Sequence, residues 1–179
     1  MGSLMRNMTK LNIINSTFED IDTIFSLYKI ATDYQKDRFP DNIWPEFERS
    51  LVETEITENR QWKLLIDNEI ACVWAITFSD PQIWEERNND PAIYIHRIAT
   101  NPKFRGQKFV TEIVEWAREY AISQNKSFIR MDTCGDNKVL INHYVNCGFD
   151  FLGINKIASS EGLPSHYHDA DVCLFEIKL

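Results

Sequence analysis

Apolar residues recur along the chain with two spacings, and these spacings predict its helices and strands. Spacings of three and four residues predict a helix after Ser16-Thr17 and another over Gln107 to Ser123, because such residues share one helix face. A weaker stripe after Asp41-Asn42 predicts a partly exposed helix. Asn137 caps a short further helix that Gly148 ends.

Seven runs rich in β-branched and aromatic residues predict strands. They are Leu11–Ile14, Trp62–Ile66, Ile70–Phe78, Ile93–Ala99, Ser127–Thr133, Phe149–Ile154 and Val172–Leu179. Their order among the helices predicts an α/β fold, in which a mixed sheet carries helices on both faces. The strand, helix and strand between Ile93 and Thr133 predict a parallel crossover. The acidic segment from Asp80 to Asp90 predicts a surface loop.

The length and charge of the chain narrow its organisation and partners. The 179 residues predict one domain over residues 11–179, and residues 1–10 are interpreted as a disordered N-terminus or a cloning remnant. The net charge of −8 argues against binding to nucleic acid or to a membrane surface. No apolar run approaches the ~20 residues that cross a bilayer. The four cysteines are scattered, so we expect reduced thiols in a cytoplasmic protein.

The junction before the strongest helix has the properties of an anion site. The first turn of a helix leaves N–H groups unpaired and carries a partial positive charge. Gly106 lets a ligand approach the backbone, and Arg105 and Lys108 add positive charge. From this segment alone, an ordinary turn with two solvated cations is an equal alternative.

Two segments together resemble the coenzyme-binding motifs of the GNAT superfamily of N-acetyltransferases. The first runs from Tyr94 to Gln107, and the second consists of Asn137, Tyr144 and Gly148-Phe149. They occur in the order and at the distance that the family shows. The resemblance implies a mostly antiparallel, seven-stranded sheet. It also implies an enzyme that moves the acetyl group of acetyl-CoA to a primary amine of a small molecule or peptide.

The resemblance implies a set of coenzyme-binding residues. The end of the fourth strand would pair with the pantetheine arm, and the amides of residues 105–111 would hold the pyrophosphate. The set, with the helix-capping asparagine, is Ile98, Ala99, Thr100, Arg105, Gly106, Gln107, Lys108, Phe109, Val110, Thr111 and Asn137.

The chain departs from the family at Lys108 and Val110, where the family has small residues. A left-handed backbone would cost a non-glycine residue ~1 kcal/mol, so we expect a helical or displaced loop with an altered grip on the coenzyme. The same departure leaves open a non-catalytic acyl-CoA-binding or sensing module.

Two residues are candidates for proton transfer. The resemblance implies that Tyr144 is the general acid, and a phenol with a reference pKa of ~10 is protonated at neutral pH. His96 is the candidate base, predicted to share a strand face with Tyr94 and Ile98, because an imidazole of pKa ~6.5 accepts a proton near neutrality. Each could instead be a packing residue. Competing bases are Asp80, Glu85 and Glu86.

Aromatic residues and histidines near the acidic segment are predicted to wall the acceptor pocket, since aromatic rings beside acids suit an organic cation. They are Phe39, Trp44, Trp84, Tyr94, His166 and His168. We expect no metal at His166-Tyr167-His168-Asp169, because alternating polar loop residues usually form a solvated rim. An exposed C-terminal edge strand is expected to pair in a homodimer or to be shielded.

Overall fold

The structure of the chain is a computed structural model that describes residues 9–40, 43–157, 159–168 and 170–179. Most of the expected N-terminal tail, the helix start expected at Asp41-Asn42, and Asp169 lie outside these ranges. Thr9 and Lys10 precede the first strand without regular structure. In the described part, no helix has both the length and the apolar character that a bilayer crossing requires.

The described residues form seven strands and five helices. The strands are β1 (Leu11–Asn15), β2 (Gln61–Ile66), β3 (Glu69–Thr77), β4 (Ala92–Thr100), β5 (Phe128–Cys134), β6 (Asp150–Lys156) and β7 (Asp171–Lys178). The helices are α1 (Ile21–Arg38), α2 (Arg49–Thr57), α3 (Pro81–Trp84), α4 (Phe109–Ser123) and α5 (Lys138–Asn146). All seven predicted strands are present. The second helix begins later than predicted, at Arg49.

The strands form one sheet in the order β1-β2-β3-β4-β5-β7-β6. Only β4 and β5 are parallel, which confirms the mixed, mostly antiparallel, seven-stranded sheet. The prediction of a C-terminal edge strand is wrong, because β7 lies between β5 and β6 and β6 forms that edge. The connection through α5 places β6 two strand positions from β5, and β7 returns antiparallel into the gap between them.

Helices cover both faces of the sheet, as predicted. The apolar side of α4 packs on one face with Tyr144 of α5, and α4 buries Ile113, Val114, Ala117 and Ala121 there. Helices α1 and α2 pack on the opposite face through a second cluster that includes Tyr28 and Val52. Because the apolar stripes of these helices follow the 3.6-residue period, burying one face of each leaves the charged face in water.

Strands β4 and β5 separate soon after they pair. Their pairs are Ala92 with Phe128, Ile93 with Ile129 and Tyr94 with Arg130, and pairing then stops. Beyond these pairs, β4 continues against β3 and β5 continues against β7. The facing edges of β4 and β5 therefore diverge and leave backbone groups of β4 without a strand partner.

A β-bulge in β4 accompanies this divergence. Val73 pairs with Ala99 and Ala75 with His96, so β4 carries one residue more than β3 over this step. Arg97 in the bulge has a φ of 52°. The extra residue reverses the side-chain alternation, so the prediction that Ile98 shares a face with Tyr94 and His96 is wrong. Ile98 packs on the α4 side, whereas Tyr94 packs on the other.

The segment predicted as a surface loop between β3 and β4 is partly buried. It folds into α3 and a 3₁₀ turn over Glu85–Asn89, and the side chains of Ile83 and Trp84 enter the core. The guanidinium of the buried Arg130 lies 4.7 Å from the centroid of the Trp84 ring. The acidic residues of the segment concealed this packing in the sequence.

Candidate active site

A cavity of about 1300 Å³ opens where β4 and β5 diverge. The ends of both strands and the start of α5 form one part of its wall, and residues from α1, α2 and the connection before β7 form the other. Most of the predicted site residues line it. They are Phe39, Trp44, His96, Ile98, Ala99, Thr100, Arg105, Val110, Asn137, Tyr144 and His166.

The loop before α4 presents three free backbone amides. Within the described residues, the N–H groups of Gly106, Lys108 and Val110 have no partner. The other predicted amides are engaged: Arg105 and Gln107 donate to Pro102 and Phe104, and Phe109 and Thr111 donate to Gln107 and Lys108. Free N–H groups at the start of a 15-residue helix can donate hydrogen bonds to the oxygens of a phosphate.

The departure from the family at Lys108 and Val110 introduces no left-handed backbone. Lys108 has φ −73° and ψ 64°, the geometry of an inverse γ-turn, and the Phe109 N–H donates to the Gln107 carbonyl at 2.7 Å. Val110 is helical, and Gly106 alone in this loop has a positive φ, of 83°. Lys108 is exposed, whereas Phe109 is buried in the core.

Two arginines flank an aromatic ring at the mouth of the cavity. The guanidinium of Arg38 lies 3.9 Å from the Tyr34 ring centroid, and that of Arg105 lies 5.2 Å from it. Arg38 and Tyr34 lie near the end of α1 and were not predicted as site residues, because nothing in the sequence brings α1 near residue 105. Together they concentrate positive charge beside the three free amides.

These features fit the coenzyme that the sequence implies. The unpaired edge of β4 can accept an extended chain bearing amide groups as an added strand. The amides of the Gly106 loop and the neighbouring arginines suit a diphosphate. The cavity connects the strand edge with this loop.

Helix α5 holds Tyr144 in the cavity wall. The helix begins at Asn137, whose Oδ1 accepts hydrogen bonds from the N–H groups of Val139 and Leu140 at 3.1 and 3.2 Å. Asn137 was predicted to bind the coenzyme, and in this structure its Oδ1 atom is engaged in capping α5. Tyr144 is buried against Phe149 and Phe175, and its hydroxyl has no hydrogen-bond partner among the described residues. Burial raises the pKa of this phenol, so it stays protonated near neutrality.

The opposite side of the cavity carries His96 with two aspartates. The His96 Nε2 atom lies 3.1 Å from the Thr77 hydroxyl and 3.7 Å from Asp80 Oδ2. Asp132 on β5 accepts a hydrogen bond from the Tyr167 hydroxyl at 2.8 Å. Sequence analysis missed Asp132 and Tyr167, although an aspartate within a strand with a buried face was a usable signal.

Burial shifts the pKa values of these groups in opposite directions. Loss of solvent raises the pKa of Asp80 to about 7, with a further contribution from the negative charge of Asp132, and burial raises that of Asp132 to about 6. Burial also lowers the pKa of His96 to about 3, helped by the positive charges of Arg97 and Arg60. His96 is therefore neutral and a weak base.

Several predicted site residues lie away from the cavity. Trp84 and Tyr94 are 2% and 0% exposed and pack against each other in the core. His168 is exposed, with its Nε2 atom 3.2 Å from the Leu163 carbonyl oxygen. Glu85 and Glu86 are exposed on the 3₁₀ turn, so Asp80 is the one competing base that lines the cavity.

The chain matches the family model described as Acetyltransferase (GNAT) family over residues 24–149. It is 25% identical over 146 residues to the uncharacterized N-acetyltransferase YesJ of Bacillus subtilis, covering 77% of this chain and 81% of that protein. A GNAT family acetyltransferase from Listeria monocytogenes has a similar fold, with a TM-score of 0.73 at 21% identity over 94% of this chain and 95% of that one. So does the Salmonella typhimurium acetyltransferase yncA with its cofactor acetyl-CoA, with a TM-score of 0.66, 11% identity and 94% coverage of both chains. With the motif residues gathered around one cavity, this chain belongs to the GNAT family of acetyltransferases.

Proposed function

We propose that this chain moves the acetyl group of acetyl-CoA directly to a primary amine of a small molecule or peptide. The observation that carries the proposal is the divergence of β4 from β5 beside the free amides of the Gly106 loop. An open strand edge next to an anion site suits a donor with an amide-bearing arm and a diphosphate.

The donor side of the cavity has two functions in this proposal. The edge of β4 at Ile98, Ala99 and Thr100 pairs with the extended arm. The amides of Gly106, Lys108 and Val110 hold the pyrophosphate, with Arg105 and Arg38 supplying charge. Gln107, Phe109 and Thr111 support the loop through their internal hydrogen bonds instead.

Tyr144 is the proposed general acid. When bound, acetyl-CoA supplies a thioester whose carbonyl carbon accepts the amine nitrogen. Tyr144 lines the cavity between the diverging strands, and in this proposal its hydroxyl gives its proton to the departing sulfur. Its raised pKa keeps that proton in place until negative charge develops on the sulfur.

The acceptor amine enters from the α1 and α2 side. Trp44 and His166 wall this side, where Trp44 packs edge-on against Phe47, with 6.0 Å between ring centroids. A small apolar group beside the amine fits against these rings. The alternative of a non-catalytic acyl-CoA-binding module rests on the side chains of Lys108 and Val110 at the family's two small-residue positions, and neither residue has a left-handed backbone.

Thiol release from acetyl-CoA with a panel of primary amines tests this function. Loss of a general acid costs typically about 10²–10⁴-fold in rate, so Tyr144→Phe is expected to lower kcat by that amount. Binding of coenzyme A, measured by calorimetry, stays close to the wild-type value. The matched control is Tyr120→Phe, because Tyr120 stacks on Trp116 of α4 and does not line the cavity.

Two outcomes contradict the proposal. If the Tyr144→Phe variant keeps the wild-type kcat, Tyr144 is not the general acid. Absence of turnover with every amine, in a protein that binds coenzyme A, favours the non-catalytic alternative.

A further inference from the structure

Three polar groups meet on the acceptor side of the cavity. Asp80 follows β3, His96 lies on β4 and Asp132 lies on β5, and one nitrogen or oxygen atom from each lies within 4.8 Å of the others. The Oδ2 atom of Asp80 is buried and has no hydrogen-bond partner among the described residues. It lies 3.7 Å from the neutral imidazole of His96. The cluster therefore contains a buried, unsatisfied acceptor on a residue that lines the cavity.

The described residues supply no cation to this cluster. Neither aspartate forms an ion pair with a lysine or arginine there. The nearby Arg97 donates instead to both carboxylate oxygens of Glu55 on α2. Two carboxylates buried together without a positive partner are costly unless one holds a proton or a cation arrives from outside. An ammonium group supplies both a charge and N–H donors.

We propose, building on the acetyl transfer proposed above, that Asp80 and Asp132 bind the acceptor amine as its ammonium ion and that Asp80 removes its proton. The acceptor class is thus an organic cation with a primary amine and no carboxylate beside it. An adjacent carboxylate would meet two negative side chains.

The proton and the acetyl group move in a balanced sequence. A proton passes from the ammonium nitrogen to the Asp80 carboxylate, and the free amine attacks the thioester carbonyl carbon. The N–C bond forms, the C–S bond breaks, and the sulfur takes the proton of Tyr144. The acetylated nitrogen then loses its second proton to the tyrosinate through water, and Asp80 releases its proton to water, so the net products are the amide, the thiol and one proton.

The surroundings of Asp80 suit this role. The titratable groups that face it are His96 from β4, Asp132 from β5, Tyr94 from β4 and Tyr167 from the connection before β7. Its pKa of about 7 lies near the operating pH, where a general base is most effective. His96, with a pKa of about 3, is too weak a base for this step. Its Nε2 atom lies within hydrogen-bond distance of the Thr77 hydroxyl instead.

Two acceptors that differ in basicity test the proposal. Benzylamine is almost wholly an ammonium ion at neutral pH, whereas aminoacetonitrile is largely neutral. With Asp80→Asn we expect kcat/KM for benzylamine at neutral pH to fall about 10²–10⁴-fold and to recover as the pH approaches the pKa of the amine. For aminoacetonitrile the loss is at least tenfold smaller, because no proton has to be removed first.

Asp132→Asn provides a second variant. Removing its negative charge lowers the pKa of Asp80, so the acidic limb of the kcat/KM profile for benzylamine shifts to lower pH. The matched control is Glu86→Gln on the exposed 3₁₀ turn, whose profile should coincide with the wild type. Coenzyme A binding by calorimetry verifies that each variant is folded.

The results separate this inference from the proposed function. Equal losses for both amines in Asp80→Asn indicate a structural role and overturn the inference. An unchanged profile in that variant also overturns it, while acetyl transfer by the wild type stands. Loss of wild-type turnover on treatment with EDTA would indicate that Asp80, His96 and Asp132 hold a metal ion instead of the ammonium group, and it overturns the inference as well. Wild-type protein that acetylates neither amine nor any other contradicts the proposed function itself.

Discussion

At the scale of single residues, burial beside the cavity changes the protonation of Asp80 and His96 in opposite senses. The pKa of Asp80 rises to about 7 and that of His96 falls to about 3, so both groups favour their neutral forms. Holding a group neutral in the folded state costs stability at any pH where the same group is charged in the unfolded chain. That range lies at high pH for Asp80 and at low pH for His96. The two groups therefore make stability depend on pH in opposite directions.

The Asp80→Asn variant tests how the Asp80 carboxyl group contributes to the pH dependence of the free energy of unfolding. The folded pKa of Asp80 lies above its ordinary value of 3.8, so the folded state binds more protons between about pH 4 and 7. The free energy of unfolding consequently falls as the pH rises through that window. We expect Asp80→Asn to be more stable than the wild type at about pH 8, with a difference that shrinks toward about pH 4.

Urea unfolding at several pH values measures this difference. Asp37→Asn, at an exposed position of α1, is the matched control and should show little change in the pH dependence of stability. A stability difference between Asp80→Asn and wild type that does not vary with pH would contradict the raised pKa.

The sequence predicted the chemical type of these residues better than their environment. His96 was assigned as the base from the ordinary imidazole pKa, and burial by residues distant in sequence lowers that value. Asp132 was missed because its partners, Asp80 and Tyr167, come from other parts of the chain. Tyr144 was predicted as a site residue because the family resemblance fixes its spacing, and the structure places it in the wall of the cavity.

At the scale of elements, an ion cluster joins α1 and α2 to the bulge in β4. Arg97, in the bulge of β4, has a positive φ and donates to Glu55 of α2. Its Nε donates to the Tyr28 hydroxyl of α1 at 3.3 Å. Arg60 lies 3.8 Å from the same carboxylate. The side chain of Glu55 is 2% exposed, so both helices depend on a buried charge network at the strand that lines the cavity.

Glu55→Ala tests this dependence. Removing one partner of a buried pair leaves the arginine uncompensated, and we expect the free energy of unfolding to fall by about 3–5 kcal/mol. Glu53→Ala on the same helix is the control, because its pair with Arg49 is exposed and exposed pairs contribute about 0–1 kcal/mol. Urea unfolding compares the two, and equal losses would argue against the network.

The periodicity of the chain predicted the elements but not their assembly. All seven strands and the apolar faces of α1 and α4 follow from local spacing. The bulge at Arg97 and the insertion of β7 between β5 and β6 depend on pairing between distant segments, which local spacing does not record. The burial of Trp84 was hidden in the same way, by the acidic residues around it.

At the scale of the whole molecule, a net charge of −8 coexists with a positive mouth of the cavity. Arg38 and Arg105 flank Tyr34 there, and the N-terminus of α4 presents its free amides beside them. The carboxylates of Asp80 and Asp132 lie on the acceptor side of the same cavity. This separation of charge favours an anionic donor at one side and a cationic acceptor at the other.

Calorimetric titration of the full chain with coenzyme A tests this arrangement most directly. The account predicts one site per chain that saturates at micromolar coenzyme and weakens as salt is added, since phosphate contacts are screened. Absence of binding at millimolar coenzyme A would contradict it.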